Sequence, residues 1–158
     1  MPEDSAVVID FSELNAAKRM LEDPVQRLKH LLELEAPELM GSMHPVARSP
    51  EIEEQFMVVA TLLREIAAFC SQQSASISAL QKAVLKAENS TFRRDVERAL
   101  SRLDHEWKRC ESQIQALDCV WERRTPEMLR ELALIQREMT FLQKWRAQLR
   151  EARVQLEI

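Results

Sequence analysis

From Val96 to Trp121 the apolar residues Val96, Leu100, Leu103, Trp107, Cys110, Ile114, Leu117 and Trp121 recur at alternating intervals of four and three. Such a register puts all of them on one side of an α-helix and leaves the other side to water. It does not fit a strand, where every second side chain shares a face. The rest of the sequence agrees. Gly41 is the only glycine in 158 residues, and tight hairpin turns and dinucleotide-binding loops both depend on that residue. Leu, Ala, Glu, Arg and Gln dominate, and these are good helix formers.

Residues 1–10 read as a frayed, acidic start. A short helix is expected from about Asp10 to Leu21, with Leu14, Ala17 and Leu21 as its apolar stripe. Asp23-Pro24 ends it and opens a second helix over Val25 to Leu34, because Asp caps a helix and Pro is tolerated in its first turn. Leu28, Leu31 and Leu32 share one face of that helix. Residues 35–50 hold Pro37, Gly41, Pro45 and Pro50 and read as a linker. Ser49-Pro50-Glu51 then starts a long helix with Ile52, Phe56, Val59, Leu63 and Ile66 as its stripe. The stripe weakens across Ser71 to Ser76, an expected break, and resumes with Ile77, Leu80 and Val84. Asn89-Ser90-Thr91 is a further candidate cap, and Thr125-Pro126-Glu127 marks the start of the last helix. That helix carries Leu129, Leu132, Met139, Leu142, Leu149, Ala152 and Leu156. The expectation is an all-α protein whose three long helices pack antiparallel with coiled-coil-like crossings.

Several functions are disfavoured. The net charge is −4, with 5 basic and 9 acidic groups in residues 1–50 against 14 and 12 in residues 89–158, so no segment is basic enough for nucleic acid. No apolar run approaches the roughly 20 residues of a membrane span, and no signal peptide opens the chain. Cys70, Cys110 and Cys119 lie on apolar helical faces at spacings that match no zinc motif, and read as reduced core residues of a cytoplasmic protein. His30, His44 and His105 are scattered without a partner motif, so no catalytic set, metal site or cofactor is expected. Arg93-Arg94 and Arg123-Arg124 are interleaved with Asp95, Glu97, Glu122 and Glu127, the pattern of solvated faces with local ion pairs.

The stretch Leu14-Asn15-Ala16-Ala17 through Leu21, Asp23-Pro24, Arg27 and Leu31-Leu32 closely resembles the second half of a J domain, the module that delivers clients to Hsp70 chaperones. The leucine run, the broken loop and the ending Phe141-Leu142-Gln143-Lys144-Trp145-Arg146-Ala147-Gln148-Leu149 are similar to iron–sulfur cluster co-chaperones of the HscB type. This resemblance implies a partial J domain over residues 1–34, a linker over 35–50 and a C-terminal bundle over 51–158. The His-Pro-Asp turn by which such proteins activate Hsp70 has no counterpart here. His44-Pro45 is followed by Val46 and lies after the helix pair, so it reads as part of the linker.

In that family the bundle binds the scaffold protein on which iron–sulfur clusters are built. The resemblance places the binding face at Phe56, Met57, Ala60, Thr61, Arg64 and Phe141. Thr61 and Arg64 stand where the family has carboxylates, and a basic Arg64 would repel a basic scaffold surface. The residues alone give a plainer expectation for Phe56 and Phe141, which is core packing. Met57 and Val58 lie beside the Ile52–Val59 stripe and widen the apolar face beyond one seam, as a partner surface requires. The function expected is a non-enzymatic, co-chaperone-like adaptor for a protein client, with no nucleic acid or membrane partner. The alternative is a structural coiled-coil scaffold unrelated to Hsp70.

Overall fold

The computed structural model describes residues 11–40, 50–73 and 78–157. Helix α1 (Phe11–Glu22) meets α2 (Pro24–Glu35) at Asp23. Asp23 is extended, its Oδ1 accepts the Val25 N–H at 2.9 Å, and Pro24 fills the first turn where no N–H is needed. A single turn, α3 (Pro37–Met40), follows within the expected linker. Then come three long helices: α4 (Pro50–Gln73), α5 (Ala79–Asp118) and α6 (Pro126–Gln155). Every regular element among the described residues is helical, and none of these helices is long and apolar enough to cross a membrane.

Local chemistry sets the helix ends. Ser78 and Gln81 form a reciprocal capping box at the start of α5, and the Thr125 side chain accepts from the Met128 N–H at the start of α6. Between α5 and α6 the chain makes one 3₁₀ turn, Trp121–Arg123, and then a left-handed residue, Arg124, at φ 27°. That conformation suits glycine, and no glycine is present. The Arg124 guanidinium grips both carboxylate oxygens of Glu35, at 2.9 and 3.1 Å, and so ties this turn to the end of α2.

Helix α6 is the centre of the molecule and packs against α2, α3, α4 and α5. It runs antiparallel to α5, with the pairs Arg109–Glu138, Arg146–Asp104 and Arg153–Glu97 as rungs. It also runs antiparallel to α2, since Gln143 donates to Asp23 and Arg137 donates to the Leu39 carbonyl. Phe69 of α4 meets Phe92 of the antiparallel α5 with centroids 5.1 Å apart. Val25, Leu28 and Leu32 of α2 share one apolar cluster with Ile52, Ile66, Leu103, Met139, Leu142 and Leu149 of the long helices. Burying three such side chains of α2 is worth roughly 1.5–3 kcal/mol each, enough to hold a 12-residue helix that would be marginal alone.

The structure corrects the sequence reading at particular residues. Helix α1 buries none of its residues, so Leu14, Ala17 and Leu21 form an exposed stripe. In α4 the buried seam is Ile52, Val59, Leu62, Ile66 and Phe69; Leu62 replaces Leu63, and Phe56 is not core. Asn89-Ser90-Thr91 starts no helix: it lies inside α5, where the Ser90 and Thr91 hydroxyls bond back to the carbonyls of Lys86 and Ala87, while Asn89 Nδ2 donates at 3.1 Å to the Leu156 carbonyl at the end of α6. Cys110 is fully buried, but Cys70 is half-buried and Cys119 exposed. Arg124 pairs with a residue distant in sequence, not a local one. The expected frayed start, His44-Pro45, Gly41 and the 74–77 part of the expected break with Ile77 lie outside the described residues.

Candidate functional site

Trp145 is the anchor of the candidate site. It lies one turn after Phe141 on α6, buried in the seam of Leu142 and Leu149. Its ring takes Phe56 of α4 at 5.7 Å and Phe141 at 5.9 Å between centroids. Phe56 and Phe141, distant in sequence, thus meet on one aromatic platform between α4 and α6. Both rings reach solvent: Phe56 is 40 % exposed and Phe141 half-buried. Trp145 had a sequence signal, its place one turn after Phe141 and three residues after Leu142, but a single-seam reading passed over it.

The other candidate residues stand differently. Met57 is 62 % exposed, and Ala60 and Arg64 follow it at helical spacing on the outward side of α4, both exposed. Arg64 makes no ion pair with any described residue. Thr61 is half-buried and turns instead toward α5, where it lines a hollow with Val58, Leu62, Ala99, Arg98 and Arg102. Met57 sits on the ridge between these two sides and also lines the hollow. Of the six residues the structure joins only Phe56 and Phe141, on Trp145; Met57 and Thr61 both line the α4–α5 hollow, and Ala60 and Arg64 stand exposed on α4.

Elsewhere the polar chemistry is structural. Arg109 donates to Glu106 at 2.7 Å and Gln113 at 3.3 Å on its own helix, and to Glu138 at 3.0 Å across the α5–α6 seam. Burial opposes its charge, but the Glu106 hydrogen bond and the Glu138 charge outweigh that and hold its pKa above the ordinary arginine value. Beside it, burial pushes the Cys110 thiol up to about 11, only partly offset by the positive charge of Arg109. A thiol that stays protonated at neutral pH is a poor nucleophile. Among the described residues no three His, Cys, Asp or Glu side chains are grouped so as to hold a metal ion. Arg146 lies 4.9 Å from the centre of the Trp107 ring and pairs with Asp104 at 2.8 Å, a clamp between α5 and α6.

Comparison with known proteins finds no matching family model, no similar curated protein and no similar solved structure.

Proposed function

We propose that this chain is a non-enzymatic, co-chaperone-like adaptor that holds a protein client on the outer face of α4 and α6. What supports the reading is the apolar surface that α4 leaves to solvent: Phe56 is 40 % exposed on Trp145 of α6, and Met57 beside it is 62 % exposed. Exposed apolar side chains on an aromatic platform are the kind of anchor that interfaces use. The J-domain resemblance of α1 and α2, and of the bundle to iron–sulfur co-chaperones, supplies the class of client: an iron–sulfur scaffold protein, with an Hsp70 as a further partner that this chain does not stimulate.

Calorimetric titration with a purified iron–sulfur scaffold protein, alongside a single-turnover Hsp70 ATPase assay, tests the proposal. Met57→Asp abolishes binding and leaves the melting temperature nearly unchanged, since Met57 is outside the core. Arg64→Glu restores the sign of charge a basic scaffold surface attracts and tightens binding by about tenfold, or roughly 1.4 kcal/mol. Scaffold that binds neither the parent chain nor the Arg64→Glu variant removes the client from the proposal and favours a structural coiled-coil role. Acceleration of ATP hydrolysis by the chain would show that another surface engages Hsp70.

A further inference from the structure

We infer that α1 of one copy docks in the groove between α4 and α5 of a second copy, so that the chain associates with itself. The helix and the groove are each unsatisfied where they stand. Among the described residues helix α1 packs mainly on α2 and buries nothing; Arg19 and Glu22 at its end border a hollow with Trp107 and Arg146, while Phe11, Leu14 and Leu21 are 75 %, 55 % and 64 % exposed along one stripe. A lone amphipathic helix of 12 residues is marginal in water unless that stripe is covered.

The groove has the matching length and lining. Two hollows between α4 and α5 share Glu65 and so run on into each other. One is floored by Met57, Val58, Leu62 and Ala99, the other by Ala68 and Phe92. From Met57 to Gln72 the groove spans about 22 Å at 1.5 Å per residue, and the Phe11 to Leu21 stripe of α1 needs about 15 Å. Beyond it, Leu80 and Val84 continue the same side of α5, spaced four and three before Ala87, and both are exposed.

Charge sets the direction. One end of the groove carries Arg102 and Arg98, the latter held by Asp95 at 3.2 Å; its middle carries Glu65, and Glu88 stands toward the other end. Phe69 faces Phe92 across antiparallel helices, which puts Glu65 level with the region of Val96, about six residues or roughly 9 Å from Arg102. On α1, Glu13 and Lys18 flank the apolar stripe about 7.5 Å apart. With α1 running parallel to α4, Glu13 falls at Arg102 and Lys18 at Glu65. Among the described residues of the single chain Lys18 has only the exposed Glu22, at 3.7 Å, to give up. Helix and groove are different surfaces, so mutual exchange between two copies closes a two-fold dimer.

Sedimentation of the full chain across a concentration series tests this. The parent chain dimerises with a Kd on the order of 10 µM, as suits a modest, partly polar interface. Leu14→Asp on α1 and Ala68→Arg in the groove each leave a monomer with an unchanged helical circular dichroism spectrum, because both positions are exposed. Glu13→Arg and Arg102→Glu each weaken the dimer about tenfold, and the two together restore it. A parent chain that stays monomeric at concentrations on the order of 100 µM overturns the inference and leaves α1 for another occupant. So does a Leu14→Asp or Ala68→Arg chain that dimerises like the parent. A charge-reversed pair no better than its single members refutes the orientation.

Discussion

Leu103→Ala and Trp107→Ala occupy successive positions of one heptad seam, and their effects on stability separate seam from rim. Leu103 is fully buried in the common apolar cluster. Removing most of its side chain loses the transfer energy and leaves a cavity among helices that cannot all close on it, a cost of about 2–5 kcal/mol. Trp107 is larger, but it is half-buried and sits at the edge of the α5–α6 seam. Its indole N–H donates to Glu111 Oε1 at 2.8 Å on its own helix, and Arg146 lies 4.9 Å from its ring centre. Truncation there loses an exposed cation–π contact of about 0.5–1 kcal/mol and a solvated hydrogen bond, and leaves Arg146 still paired with Asp104. The expected cost is about 1–2 kcal/mol, below that of Leu103 despite the bulk of the indole. Urea unfolding followed by helical ellipticity gives the comparison. With a slope of about 2 kcal/mol/M, Leu103→Ala lowers the midpoint by roughly 1–2.5 M and Trp107→Ala by less than about 1 M. Equal shifts, or a larger one at Trp107, would show that the indole carries the core and that the seam has been placed one turn wrong.

Arg124→Gly removes an unfavourable left-handed arginine, worth about 1 kcal/mol or more, but also cuts the only described side-chain link between this turn and Glu35. Arg124→Gly therefore changes the urea midpoint little, whereas Glu35→Ala, which keeps the strain and loses the grip, lowers it. Cys110 gives a pH signature: its folded pKa of about 11 lies above the ordinary 9.0, so the stability it contributes is fully present below pH 9 and is lost as pH rises through 11. The chain has no tyrosine to titrate in the same window, so thermal melts from pH 8 to 11 fall less steeply for Cys110→Ala than for the parent, and equal slopes would contradict the assignment.

The sequence spoke clearly where a helix has one buried side. The seam of α5 is such a case: Val96, Leu100, Leu103, Cys110 and Leu117 are buried as spaced. Helix α6 is covered on several sides, so Ala133, Ile135, Gln136 and Trp145 are buried beyond the single stripe that a period of 3.6 can reveal. In α4, Leu62 and Leu63 are equally apolar neighbours, and only the position of α5 decides between them. The start of α5 was legible in retrospect, because Ser78 and Gln81 have capping-box spacing, while Ser90 and Thr91 show that hydroxyl residues can sit inside a helix by bonding back to it, and Asn89 by reaching the end of α6. The candidate site followed the same logic. Periodicity put Phe56 in the core, and the tilt of α4 toward both α5 and α6 leaves it at the α6 edge on Trp145.

On the two proposals α4 has two working sides, and Met57, exposed and lining the α5 hollow one residue after Phe56, lies between them. The aromatic side faces outward over α6 with Phe56 and Phe141; the groove side faces α5 with Val58 and Ala68. If the first side holds a client and the second holds α1 of another copy, substitutions sort into three groups. Phe141→Ser weakens the client and spares self-association, apart from any loss of stability that melting would reveal. Ala68→Arg abolishes self-association and spares the client. Met57→Asp places an unpaired charge in both contacts and weakens both. Because the two ligands meet at one side chain, each binds the parent chain less tightly when the other is present, by the same factor in either order. Titrating the scaffold protein into dilute and concentrated solutions of the chain measures that factor. An affinity independent of chain concentration, in a chain shown to dimerise, would mean that the two sides of α4 act separately and that Met57 belongs to only one of them.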